Sequence, residues 1–155
     1  MRILVLSPGA LRHVGARALA DDYQQRIQRL CPMERRAVRE SRRHAGDEDR
    51  ARREEAAAML AEVPAGADLV ALDAAGRSFD SDAFHRWLVG RMEAGIPAIC
   101  FAIGGPEGHD PSLRDRARLQ LSLSAMTLPH ELAEVILLEA IYRALMRWRG
   151  LPYHR

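Results

Sequence analysis

The sequence predicts an α/β domain with a largely parallel sheet covered on both faces. Three observations carry this expectation. Short, continuous apolar runs recur at residues 2–7, 68–73 and 96–103, the form of strands buried on both faces. Between them lie segments of helical periodicity, as in 16–30, where Ala16, Leu19, Ala20, Tyr23, Ile27 and Leu30 share one face. Each apolar run ends in chain breakers: Pro8-Gly9, then Ala74-Ala75-Gly76, then Gly104-Gly105-Pro106.

Taken in order, the first helix stops before Pro32, because the residue preceding a proline is pushed out of the helical region. Residues 33–39 have mixed polarity and suit a second, more exposed strand, and residues 42–46 form a loop. The stretch 47–63 is rich in Ala, Arg and Glu with its acids early, which predicts a helix ended by Pro64 and Gly66. Ser81 or Asp80 caps a helix over 82–94, closed by Gly95. Pro111 opens a short helix to 117, residues 119–124 alternate as a strand, and 125–129 connect to a last helix over 131–149. That helix carries two apolar stripes: Leu137, Ile141, Leu145 and Trp148, and Leu132, Val135, Ile136 and Ala140. So wide an apolar arc needs cover on more than one side, which predicts a homodimer.

The chain has 155 residues, one domain over 1–155, with 48% apolar and 28% charged residues. This composition excludes a disordered tail, and a core of this size needs no disulfide or metal staple. Cys31 and Cys100 are far apart and lack partners, as expected of buried thiols in the cytoplasm. No apolar run approaches the ~20 residues of a membrane span, and no signal-peptide layout opens the chain. The net charge is +2, too small to announce a nucleic-acid partner, yet all 23 basic residues are Arg. Arginine offers planar, bidentate phosphate recognition that Lys does not. Six of them (Arg29, Arg35, Arg36, Arg39, Arg42, Arg43) gather before an acidic stretch that partly cancels them.

Two loops have the character of ligand cradles. Gly104-Gly105-Pro106-Glu107-Gly108 follows the most continuous apolar run, at the strand end where open α/β sheets bind ligands. Its spacing is neither a dinucleotide fingerprint nor a P-loop, and paired glycines also make ordinary turns. The junction 119–130 offers Ser122, Ser124 and Thr127 beside Met126 and Leu128, either as a capped connection or as a main-chain cradle around an apolar ring. The six histidines fall in six segments with no metal-ligand spacing, so no metal is expected. Neither Ser nor Cys occupies a nucleophile elbow. Glu139 and Arg143 stand four apart on the last helix, and the tail Leu151-Pro152-Tyr153-His154-Arg155 joins groups suited to RNA stacking and phosphate contact.

Ile103-Gly-Gly-Pro-Glu-Gly108, Leu121-Ser-Leu-Ser-Ala-Met-Thr-Leu-Pro-His130, Glu139-Ala-Ile-Tyr-Arg-Ala144 and the terminal Pro152-Tyr-His-Arg155 resemble, in order and over the whole chain, the RlmH family. These are SPOUT-superfamily methyltransferases that act on N3 of a pseudouridine in the 23S RNA of the large ribosomal subunit. The resemblance implies a parallel-sheet fold with a C-terminal trefoil knot, which chain-connection rules alone argue against. It implies a homodimer, S-adenosylmethionine as cofactor and the ribosome as substrate. Leu72, Gly104, Leu123, Ser124, Ala125, Met126, Thr127 and Leu128 are its expected cofactor-binding positions, with Gly105 and Glu107 behind them. The expected catalytic residues are His154 as base, Arg143 (or Arg155) as the cation facing the anion or a phosphate, and Tyr153 as a stacking ring. A ribosome-associated RNA-binding factor with the same fold and no chemistry is the alternative.

Overall fold

The long apolar runs form the middle of a five-stranded sheet, and the more polar segments form its edges and cover. The computed structural model describes residues 1–41 and 46–153. Its elements are β1 (Arg2–Pro8), α1 (Val14–Gln28), β2 (Met33–Val38), α2 (Glu48–Glu62), β3 (Asp68–Ser78), α3 (Ser81–Glu93), β4 (Ala98–Ile103), α4 (Pro111–Arg116), β5 (Leu119–Ser122) and α5 (His130–Trp148). The strand order is β2-β1-β4-β3-β5, and every neighbouring pair is parallel. The predicted α/β class with a parallel sheet is therefore observed. The segment 42–45, with Arg42 and Arg43 of the basic cluster, and the tail residues His154 and Arg155 lie outside the described residues.

Burial follows from strand position. All six residues of the central β4 are buried, whereas the edge strand β2 alternates and keeps Glu34 and Arg36–Ala37 less covered. Successive side chains of β1 serve opposite layers. Ile3 and Val5 join Phe101, Leu88 and Leu137 beneath α1, α3 and α5. Leu4 and Leu6 join Cys100, Met59 and Leu113 beneath α2 and α4.

Helix boundaries lie close to the predicted ones, and side-chain caps explain them. The Asp80 carboxylate accepts from Ala83 N–H at 2.6 Å, which selects Asp80 over Ser81 as the cap of α3. Asp110 caps α4 ahead of Pro111, and the His13 ring accepts from Ala16 N–H to start α1. Two strands depart from expectation: β3 does not end at Asp73 but resumes and runs to Ser78, and β5, expected over 119–124, ends at Ser122, where the Ser122 hydroxyl turns the chain by donating to Ser124 O.

The apolar arc of α5 is covered largely from within the chain. Leu137, Ile141 and Leu145 are fully buried against the shared core of α1 and α3, while Leu132 and Trp148 remain exposed. No helix among the described residues is long and apolar enough to cross a membrane. Both thiols sit in the core, where burial pushes Cys31 and Cys100 each up to about 11. At pH 8 both are therefore thiols rather than thiolates, and alkylation or disulfide exchange needs the thiolate. A native-state titration with a chromogenic disulfide at pH 8 should leave both unreacted over the time in which a urea-unfolded sample yields two equivalents.

Candidate active site

The β3 excursion and the loops that follow β4 and β5 border a cleft of about 350 Å³. Leu72 and Asp73 come from β3, Ile103 ends β4 with Gly104 to Gly108 after it, and Leu123 to Leu128 follow β5. The residues that the resemblance designates converge here. Leu72, Gly104, Leu123, Ser124, Met126, Thr127 and Leu128 line the cleft, as do Gly105 and Glu107. Ala125 is exposed and is not among the lining residues.

The β3 wall is built by an excursion. Leu72 and Arg77 both pair with Leu121 of β5, so residues 73–76 bulge out of the ladder and return. Asp73 accepts from Ala75 N–H at 2.9 Å inside this bulge. Gly76 then returns against β5 so closely that a Cβ there would stand 2.6 Å from the Gln120 carbonyl oxygen. Only glycine fits that approach. Sequence reasoning marked Ala74-Ala75-Gly76 as a strand end; Gly76 was the available signal for a backbone contact.

The β4 loop is a tight reversal. Gly108 N–H donates to Gly105 O at 2.9 Å, and Gly108 takes φ +73°, a region favouring glycine. A Cβ on Gly104 would lie 3.3 Å from the Gly108 backbone and 3.4 Å from the His109 ring. His109 is buried beneath this loop, and its Nε2–H donates to Ala102 O at 3.0 Å. Burial holds the imidazole below its ordinary range, opposed by the Ala102 carbonyl and by Asp73.

The β5 loop is folded by its own hydroxyls. Ser122 donates to Ser124 O at 3.0 Å, and Met126 N–H donates to Ser124 Oγ at 3.0 Å. Met126 projects to solvent with 74% of its surface exposed. The loop then enters α5, whose first turn is anchored twice. Glu131 accepts from the backbone N–H groups of Arg12 and His13 at 3.0 and 2.9 Å, contacts that hold its carboxyl below the usual range. Glu134, buried in the next turn, pairs with Arg35 of β2 at 2.9 Å, and burial pushes its carboxyl upward.

A second cleft of about 220 Å³ adjoins the first and shares Leu121 and Leu123 with it. Phe79, His85, Glu139 and Arg143 line this neighbour. Arg143 donates to Glu139 Oε1 from Nε at 2.9 Å and from Nη2 at 2.5 Å. Tyr153, in the segment after α5, lines neither cleft: its hydroxyl is 3.5 Å from Glu139 Oε1 and 3.4 Å from the Tyr23 hydroxyl. Its ring meets Tyr142 edge-on at 4.7 Å. The hydrogen bond with Tyr23, then burial, keeps the Tyr153 phenol protonated well beyond its ordinary range. The structure thus brings Arg143 beside the first cleft, sets Tyr153 behind Glu139, and leaves His154 outside the described residues. Asp73, Leu121, His130 and Ala133 also line the first cleft, and composition and spacing did not single them out.

Two outcomes test this construction. Gly76→Ala should lower unfolding stability in urea by about 1–3 kcal/mol, because backbone rather than a flexible side chain must yield. It should also weaken the affinity of whatever the cleft holds. His109 binds its proton near 6.5 when unfolded and only at lower pH when folded, so stability is full above about 6.5 and falls as pH drops through the folded value. Melting temperature should therefore decline between pH 7 and 5, and His109→Gln should flatten that decline.

The family described as "Predicted SPOUT methyltransferase" matches residues 1–154. A Nitrobacter hamburgensis protein named "Ribosomal RNA large subunit methyltransferase H" is 42% identical over 161 aligned residues, covering 100% of this chain and 99% of that protein. Proteins of the same name from Gemmatimonas aurantiaca and Xanthobacter autotrophicus are 38% and 37% identical, again over 100% of this chain and 100% and 99% of theirs.

Proposed function

Because the chain belongs to the SPOUT methyltransferase family, we propose that it transfers the methyl group of S-adenosylmethionine to N3 of a pseudouridine in 23S ribosomal RNA. The end-to-end similarity to proteins named for large-subunit ribosomal RNA methylation carries this reading. The chemistry of the first cleft supports the cofactor. Leu72, Leu121 and Leu128 suit a flat base, the glycine loop offers main-chain groups without side-chain obstruction, and Asp73 and Glu107 supply negative charge suited to a cationic ligand. When bound, S-adenosylmethionine supplies an electrophilic methyl group on a sulfonium.

The chain's own residues would make the acceptor competent. N3 of pseudouridine carries an imide-like proton and is a weak nucleophile until that proton leaves. His154 is the proposed base, since imidazole titrates near working pH. Arg143 presents a guanidinium next to the cofactor cleft and would stabilise the resulting anion, with Glu139 fixing its rotamer. Tyr153, held protonated, serves as a donor or a stacking ring and not as a base. Holding the two reactants in line is the remaining task, and the adjacency of the clefts suits it.

The same reading includes a homodimer and a C-terminal trefoil knot, with the tail completing a site shared between protomers in the cytoplasm. Exposed Leu132 and Trp148 on α5, with Val14 and Leu19 on α1, supply apolar surface for such a dimer.

Radiolabelled methyl transfer to ribosomes lacking the modification, with mass spectrometry of the product, tests the proposal. Methylation at pseudouridine N3 is the expected result; cofactor binding with no transfer to ribosomes would favour an RNA-binding factor. Arg143→Ala should lower kcat by about 10²–10³-fold, the cost of removing one donor to a developing oxyanion elsewhere, while cofactor affinity measured by calorimetry holds.

A further inference from the structure

We propose that Arg77, stacked on Phe79, is a docking point for a backbone phosphate of the RNA strand that carries the target nucleotide. The inference rests on the RNA-methylating reading above and extends it to the surface beside the two clefts.

Position comes first. Arg77 is the residue with which β3 re-enters the sheet after the 73–76 excursion, in register with Leu121, a wall of both clefts. The close seat of Gly76 against Gln120 fixes where Arg77 begins. Its side chain is exposed and lines neither cleft, so a small ligand held within them is not its partner. A chain passing over the clefts is.

The environment of the guanidinium supplies the second argument. Its carbon lies 4.8 Å from the Phe79 ring centroid. Phe79 is backed by Trp87 at 6.5 Å, and Trp87 meets Phe101 of the central strand at 6.2 Å. The platform is therefore tied to the core. Many arginines here, among them Arg26, Arg36, Arg91 and Arg147, are neutralised by carboxylates. Among the described residues Arg77 stacks on a ring with no carboxylate partner; Arg149 does so on Trp148, but it caps the far end of α5 and donates to Leu30 O. A face-stacked guanidinium loses rotamer freedom in advance yet keeps its in-plane N–H groups for an anion, and the planar fork matches two phosphate oxygens. Proteins that hold single-stranded RNA combine positive groups along the backbone with aromatic rings and arginine cation–π contacts.

The test is binding of an RNA fragment containing the target loop, followed by fluorescence anisotropy at several salt concentrations. Calorimetry with S-adenosylmethionine and a melting curve accompany each variant. Arg77→Ala should weaken RNA binding about tenfold and reduce the slope of log K against log salt by about one, as loss of one phosphate contact does. Cofactor affinity and melting temperature should not move. Arg77→Lys should restore the slope and part of the affinity, and Phe79→Leu should weaken binding with the slope intact. Wild-type RNA affinity in Arg77→Ala would overturn the proposal, as would an equal loss of cofactor affinity or a wild-type protein that does not bind the fragment. If the wild type binds RNA as described but transfers no methyl group, the reaction fails and the docking point stands.

Discussion

Leu121 answers two residues of the neighbouring strand, Leu72 before the excursion and Arg77 after it. Everything at the site depends on this double pairing. A parallel ladder holds β3 and β5 together on both sides of four residues that leave the sheet, and the departure makes a wall. The register cannot drift, because Gly76 is seated against the Gln120 backbone at a distance that admits no Cβ. From that fixed seat follow the positions of Asp73 in one cleft, of Phe79 in the next, and of Arg77 in register with the leucine they share.

Electrostatics completes the frame from the opposite side. The β5 loop would swing with α5 unless the first turns of that helix were held. Glu131 accepts two backbone N–H groups of the β1–α1 connection. Glu134 brings a buried carboxylate to Arg35, which also meets Asp21 at 2.9 Å. A buried ion pair is costly to desolvate and contributes little net stability, but breaking it is more costly still. Its role here is registry: it fixes α5 against the edge strand β2, and so fixes the loop that opens onto α5.

Much of the fold was legible in the sequence. Continuous apolar runs marked the buried strands, and the mixed polarity of residues 33–39 marked the edge. Capping residues and breakers set helix ends within a residue or two. What escaped was the return of β3 beyond Gly76, because Arg77-Ser78 carries no apolar signal and its pairing is decided by β5, distant in sequence. The wide apolar arc of α5 divides in space in a way periodicity does not reveal: α1 and α3 of the same chain cover Leu137, Ile141 and Leu145, while Leu132 and Trp148 stay exposed. The glycine loop and the 123–128 loop were both recognisable as cradles, but which ligand they suit came from family resemblance. His109 was passed over as one of six scattered histidines, since its role under the Gly104 loop is purely spatial.

The wall shared by the two clefts has a consequence for molecules made to fit them. Leu121 and Leu123 face both spaces, so a substitution at either leucine reshapes both clefts together. The same adjacency favours a tethered ligand. Two weak fragments, one in each cleft and joined over these leucines by a short linker, would bind as a single unit, the second at millimolar effective concentration.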